Sequence, residues 1–196
     1  MGNISLLFGG LALFVNSMVL FGKVDVRSAG VLSLFVGLLQ SFIATWLVIT
    51  EPAMTFAYAS IYLFAFTYLY VGVTFIAGID GSGVGWFSLF VAVTALFYAF
   101  AGFQSGDWIG GVTWLFWAFL WGLFFAGMGL GLSIDGYTAR VALVQSWMTL
   151  IVPALIGLSG IGTSVYPYLF SAASVLAILY FIKAAPSKGS TELNPN

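Results

Sequence analysis

FTYLYVGVTFIAGIDGSGVGWFSLFVA, residues 66–92, is two apolar runs joined by one short polar break. The break, Gly78-Ile79-Asp80-Gly81-Ser82-Gly83, carries the glycine and aspartate chemistry of a turn. Runs this apolar on either side of a turn predict a hairpin of two membrane helices with Asp80 at its tip. The arrangement recurs. Asp25, Asp80 and Asp135 stand 55 residues apart, each preceded by a β-branched residue (Val24, Ile79, Ile134) and each in a polar break. In a chain with six acids, that interval predicts one unit written three times. Ser33-Leu34-Phe35-Val36 returns in the same register as Ser88-Leu89-Phe90-Val91, while a third copy near Leu143 has drifted.

Composition sets the solvent. Of 196 residues, 62% are hydrophobic and 6% charged, against about 25% charged in a soluble domain. Such a chain has too few polar side chains to cover a surface in water, so membrane lipid is its expected environment. A net charge of −1 argues against a nucleic-acid partner. No cysteine or histidine is present, which removes thiolate chemistry, the commonest metal ligands and the usual titrating group near neutral pH. No metal or cofactor is expected, and no catalytic residue is identified. The N-terminus lacks a cationic leader, so the first apolar run reads as a retained helix.

Seven runs are long enough to span a bilayer, at about 3–22, 28–49, 54–77, 85–103, 109–131, 139–158 and 164–183. The predicted fold is an all-α membrane protein of seven transmembrane helices: three hairpins, about 1–52, 53–107 and 108–162, then a C-terminal helix and a polar tail over 184–196. With seven spans, Lys23, Arg27, Arg140, Lys183 and Lys188 all fall on one side. The positive-inside rule makes that side cytoplasmic, with the N-terminus outside. The spans hold no ionisable group clear of their ends, which argues against a proton relay. It also argues against a retinal Schiff base, since Lys183 lies at a span edge. A passive path for a neutral solute, or a protein that packs and binds, remains.

Candidate lining residues follow from side-chain type. Trp114, Trp117 and Trp121 share one helical face at i, i+3 and i+7, and Phe64 and Tyr68 share another at i, i+4. Trp117 and Trp121 lie near mid-membrane, where two indoles on one face suit either packing or a lumen. An aromatic slit passes a flat neutral molecule and rejects a hydrated ion, which finds nothing there to replace its water. The buried phenol and indole groups require hydrogen-bond partners, which a planar polar solute supplies. Asn16 and Gln145 suit either an amide-binding station or an interhelical bond, and Gln40 reads as the latter. Gly127 and Gly131 form a small-residue pair for close helix contact, within the chain or between subunits, and Pro153 predicts a kink.

Several segments together resemble the UreI/AmiS family of bacterial urea and short-chain amide channels. They are Asn16 with Gly22-Lys23-Val24-Asp25; Phe66-Thr67-Tyr68-Leu69-Tyr70 with Gly78-Ile79-Asp80; Trp86-Phe87-Ser88-Leu89-Phe90-Val91-Ala92; and Gly106-Asp107-Trp108 leading to Trp114, Trp117 and Trp121. The resemblance covers about residues 5–155 and implies a homo-oligomer, a hexamer, in the bacterial inner membrane with one pore per protomer. It assigns Trp117 and Trp121 to pore constrictions, Phe64 and Tyr68 to their aromatic partners, and Leu6 and Leu13 to the apolar lining. It also implies a link to a cytoplasmic amidase or urease. Acid-gated members carry histidines in long outer loops and a glutamate at the position of Gln145. This chain has short outer loops around Glu51 and Asp107, no histidine and a seventh span. The departures point to the branch that is not acid-gated, with urea or short amides as cargo, although Glu51 and Asp107 leave open a response at lower pH. The alternatives are an amide-binding membrane sensor or subunit, and an ion-coupled amide transporter.

Overall fold

A computed structural model describes residues 2–186. Seven helices are long and apolar enough to cross a membrane: α1 (Gly2–Leu20), α2 (Val26–Thr50), α3 (Thr55–Ala77), α4 (Ser82–Gln104), α5 (Trp108–Gly129), α6 (Asp135–Ser159) and α7 (Tyr166–Ala184). Most of the tail expected over 184–196, with Lys188, lies outside the described residues.

The repeated aspartates occupy the turns α1–α2, α3–α4 and α5–α6. Asp25 caps α2 by accepting the Ser28 N–H at 2.8 Å. Asp80 accepts the Ser82 N–H at 2.9 Å. Asp135 opens α6 itself, so this helix begins four residues before its expected start, and Arg140 lies exposed on its second turn. Gly78 ends α3 in the left-handed conformation, φ +65°, which suits a residue without Cβ.

The two Ser-Leu-Phe-Val copies occupy matching environments. Ser33 and Ser88 are fully buried, as are Val36 and Val91, while Phe35 and Phe90 face outward. Outward aromatic and aliphatic side chains are the rule on every span, as lipid contact permits.

Helices α1 to α6 close into a ring. The tightest pairs are α2–α3, α4–α5 and α6–α1; the aspartate-turn pairs touch less. Missing side chains explain the tight pairs, because small residues let membrane helices approach at backbone distance. A Cβ added at Gly37 would lie 2.8 Å from the Leu69 backbone nitrogen, and one at Gly10 3.1 Å from that of Ile151. At Gly85 it would lie 2.2 Å from the Gly129 nitrogen. The close contact at the end of α5 therefore runs through Gly129. A Cβ added at Gly127 would lie no closer than 3.8 Å to a neighbour, and one at Gly131 would meet nothing within 4 Å, so this expected pair makes no close contact within the protomer.

Two helices widen. From Phe125 to Gly129, α5 is a π-helix, and so is α6 from Ser146 to Ile151. At the end of the second, the Val152 N–H reaches back five residues to the Trp147 carbonyl. Pro153 follows immediately; it has no N–H to continue the ladder. Pro153, where a kink is expected, stands two residues past the end of this π segment.

Helix α7 lies outside the ring against α5 and α6. Phe181 stacks on Phe119 at 6.1 Å, and its carbonyl accepts the Tyr137 hydroxyl at 3.2 Å. Only 22% of its apolar window is buried, against 33–44% for the other spans, as befits a peripheral helix.

Candidate functional site: an aromatic constriction between two cavities

The site is built on α1, α3, α5 and α6. The i, i+3, i+7 spacing carries Trp114, Trp117 and Trp121 along one face of α5, and Phe64 of α3 closes against them. Its ring centroid is 4.7 Å from Trp117 at 82° and 4.8 Å from Trp121 at 63°. These are edge-to-face contacts, each favourable by roughly 0.5–1.5 kcal/mol beyond burial. Trp114 meets Trp117 at 4.7 Å and stacks on Tyr98 of α4 at 4.6 Å.

Three cavities lie in series along the ring. An inner one of about 80 Å³ is lined by Leu13, Asn16, Phe64, Tyr68, Trp117 and Trp121, and extends to Thr138 and Asp135. A second of about 220 Å³, at the N-terminal end of α1, is lined by Leu6, Gln40, Ser60, Phe64 and Trp117. The two share Phe64 and Trp117, so this ring pair stands between them. At the aspartate end an open vestibule of about 1010 Å³ shares Gly127, Met128 and Asp135 with the inner cavity.

Two of the ring donors, those of Tyr68 and Trp117, are already engaged within the chain. The Tyr68 hydroxyl donates to the Gly9 carbonyl at 2.6 Å. The Trp117 indole N–H donates to Thr149 Oγ1 at 2.9 Å, and that hydroxyl donates to the Gln145 carbonyl at 2.7 Å. These bonds replace the expectation that a solute completes the polar groups of both rings. They fix the rings and leave the lining mostly apolar.

The amides divide. Asn16 lines the inner cavity and accepts the Ser33 hydroxyl at 3.3 Å. Gln40 makes the expected interhelical bond, donating to the Ser5 carbonyl at 2.9 Å, and also borders the second cavity. Gln145 is fully buried and lines neither cavity, and its side-chain nitrogen and oxygen have no protein partner. The structure thus gathers Leu6, Leu13, Asn16, Phe64, Tyr68, Trp117 and Trp121 along one axis and sets Gln145 behind it. Thr149 was missed by sequence reasoning. Its one signal is its place four residues after Gln145, on the same face of α6.

Comparison with known proteins agrees with this architecture. Residues 1–161 match the AmiS/UreI family transporter model. A candidate transporter protein, AmiS2, of Rhodococcus erythropolis is 47% identical over 165 residues, covering 82% of this chain and 80% of that protein. A candidate amidate-substrate transporter of Mycolicibacterium smegmatis is 39% identical, covering 82% and 78%. The Helicobacter pylori urea channel, solved by cryo-EM in a closed state, superposes with a TM-score of 0.75 at 27% identity, covering 81% of this chain and 97% of that one. Helix α7 begins beyond the residues that the family model matches. Seven apolar spans, a ring around serial cavities and a family match over most of the length lead to one conclusion: the chain is a multi-pass membrane protein of the AmiS/UreI transporter family, and not an enzyme.

Proposed function

We propose that the protein is a passive channel for urea or short aliphatic amides. The observation that carries this reading is the pair of cavities meeting at Phe64 and Trp117. An inner cavity of about 80 Å³ is well below the roughly 300–1,000 Å³ of sites for drug-sized ligands. Small flat solutes suit it. A hydrated ion would shed its water against aromatic faces that return no hydrogen bonds. Leu6, Leu13, Phe64, Tyr68, Trp117 and Trp121 form the path, with Asn16 as a hydrogen-bonding station. Gln145 acts from behind the lining. The names of the relatives, an amidate-substrate transporter and a urea channel, support the cargo class.

Exposed Lys23, Arg27, Arg140 and Lys183 lie at the aspartate end of the ring. By the positive-inside rule this end is cytoplasmic in a bacterial inner membrane. The hexamer implied by the family resemblance, and a soluble amidase or urease to consume the cargo, complete the proposal.

Permeation is expected to be insensitive to mild acid. No histidine is present. At the α3–α4 turn, the Ser82 hydroxyl and backbone N–H hold the Asp80 carboxyl below the usual carboxylate range. A depressed folded pKa gives stabilisation that is complete above the unfolded value near 3.9 and is lost only as pH falls through the lower folded value. Amide flux should therefore change by less than about twofold between pH 8 and 5, where no normal side chain but histidine titrates.

The test is stopped-flow light scattering on proteoliposomes with urea, acetamide and glycerol at both pH values. Fast, non-saturating amide entry supports the channel. Entry that collapses with an imposed ion gradient indicates coupled transport. Saturable binding without flux, by folded protein, indicates a sensor or subunit.

A further inference from the structure

Trp117 borders both cavities, so its orientation sets the gap between them. Two contacts hold it. Phe64 meets its ring nearly at a right angle, 4.7 Å between centroids. Thr149 Oγ1 takes its N–H at 2.9 Å, in a buried site. The Thr149 hydroxyl has one proton, which it donates to the Gln145 carbonyl at 2.7 Å. With its donor spent on the helix and an acceptor position on the indole, Thr149 is oriented from its own backbone. It lines neither cavity, so it does not meet the solute directly.

Backbone geometry supports this placement. Thr149 belongs to the π segment Ser146–Ile151. That segment is seated against α1 at Gly10, where a Cβ would fall 2.9 Å from Leu150 Cβ and 3.1 Å from the Ile151 nitrogen. A π turn rotates the residues within it relative to the α-helical turns on either side. Thr149 lies within this segment, immediately before the two residues that pack against Gly10 of α1.

We propose that Thr149 is a positioning residue that sets the selectivity of the constriction. Its hydroxyl, carried by the π segment of α6, fixes the angle of the Trp117 indole and so the size of amide that passes Phe64. The proposal rests on the channel reading above.

The test compares Thr149→Val and Thr149→Ser with the natural protein, full length, in proteoliposomes. Two quantities are read: the isobutyramide-to-urea permeability ratio, and the indole N–H band in ultraviolet resonance Raman difference spectra. Thr149→Val keeps the shape and removes the hydroxyl. It should change the ratio by about three- to tenfold, the effect of one hydrogen bond, and shift one indole band toward the unbonded position. Thr149→Ser should restore both. If Thr149→Val does not form folded oligomers, Trp117→Phe supplies the second arm, because it removes the donor while keeping a ring. There Thr149→Ser, which changes only the unused methyl group, should leave the ratio unchanged, and Trp117→Phe alone should reproduce the altered ratio. A conducting natural protein whose ratio and spectrum are unmoved by Thr149→Val overturns this proposal and leaves the channel reading intact. So does a conducting Trp117→Phe variant with the natural ratio. A natural protein that conducts no amide overturns the channel reading, and this proposal with it.

Discussion

Trp117→Ala is expected to merge the two cavities and abolish discrimination among small neutral solutes. The indole borders both spaces, and its edges meet Phe64 and Trp114 at 4.7 Å. Alanine leaves Phe64 facing a gap, and the Thr149 hydroxyl loses its indole donor. A barrier that separates urea from a larger amide by about 1.4 kcal/mol or more corresponds to at least about tenfold in rate, and that difference should disappear. Emptying a buried tryptophan site costs about 3–5 kcal/mol, so the melting temperature should fall. Membrane insertion should survive, because each span keeps its apolar length. The measurement is the permeability series from urea to isobutyramide and glycerol on folded, oligomeric protein. An unaltered series would remove Trp117 from the path.

Gly85→Val should prevent the ring from closing. A Cβ there would sit 2.2 Å from the Gly129 nitrogen and 2.5 Å from its Cα. Both are backbone atoms, so no side chain is available to turn aside. Overpacking of this kind costs upward of about 3 kcal/mol, which for a chain of this size is a fall of about 10 °C in melting temperature or loss of the folded form. Gly122→Ala is the matched control, since a Cβ at Gly122 meets nothing within 4 Å. That change should be neutral or stabilising by up to about 1 kcal/mol, as alanine is the better helix former. Thermal unfolding in detergent, followed by size-exclusion profile, separates the two. Equal melting temperatures would sink the argument from close approach.

The division between what was legible and what was not has a physical basis. Spans and turns are set by local composition, and the aspartate interval repeats a local pattern, so both could be read from the chain. The shared face of Trp117 and Trp121 follows from helical period. That Phe64 is the ring meeting both indoles depends on how α3 sits against α5, which came only from family resemblance. The partners of polar groups were the hardest to foresee. Thr149, Gly9 and Ser5 are ordinary residues in sequence, and they matter because α6 and α1 bring a hydroxyl or a carbonyl to a ring or an amide. The π segments left little local mark: Pro153 stands just past the one in α6, which lies against Gly10, and the one in α5, which lies against Gly85, has no proline near it. Small-residue spacing pointed to Gly127 and Gly131, while the close contact within the protomer falls on Gly129, inside the π segment of α5.

The closure of the ring through α6 and α1 bears on biosynthesis. In α1, the residue at Gly10 packs against Leu150 and Ile151, which a ribosome makes near the end of the six-helix unit. Helices α2–α3 and α4–α5 pair with neighbours made moments later, whereas α1, bonded early to α2 and α3 through Ser33, Gln40 and Tyr68, waits for its closest partner five spans away. Long-range contacts of this kind form slowly. A nascent chain stalled or cut before α6 would therefore hold two finished pairs and a first helix held only by α2 and α3, with the face at Gly10 open. That species is the one a membrane quality-control protease would meet.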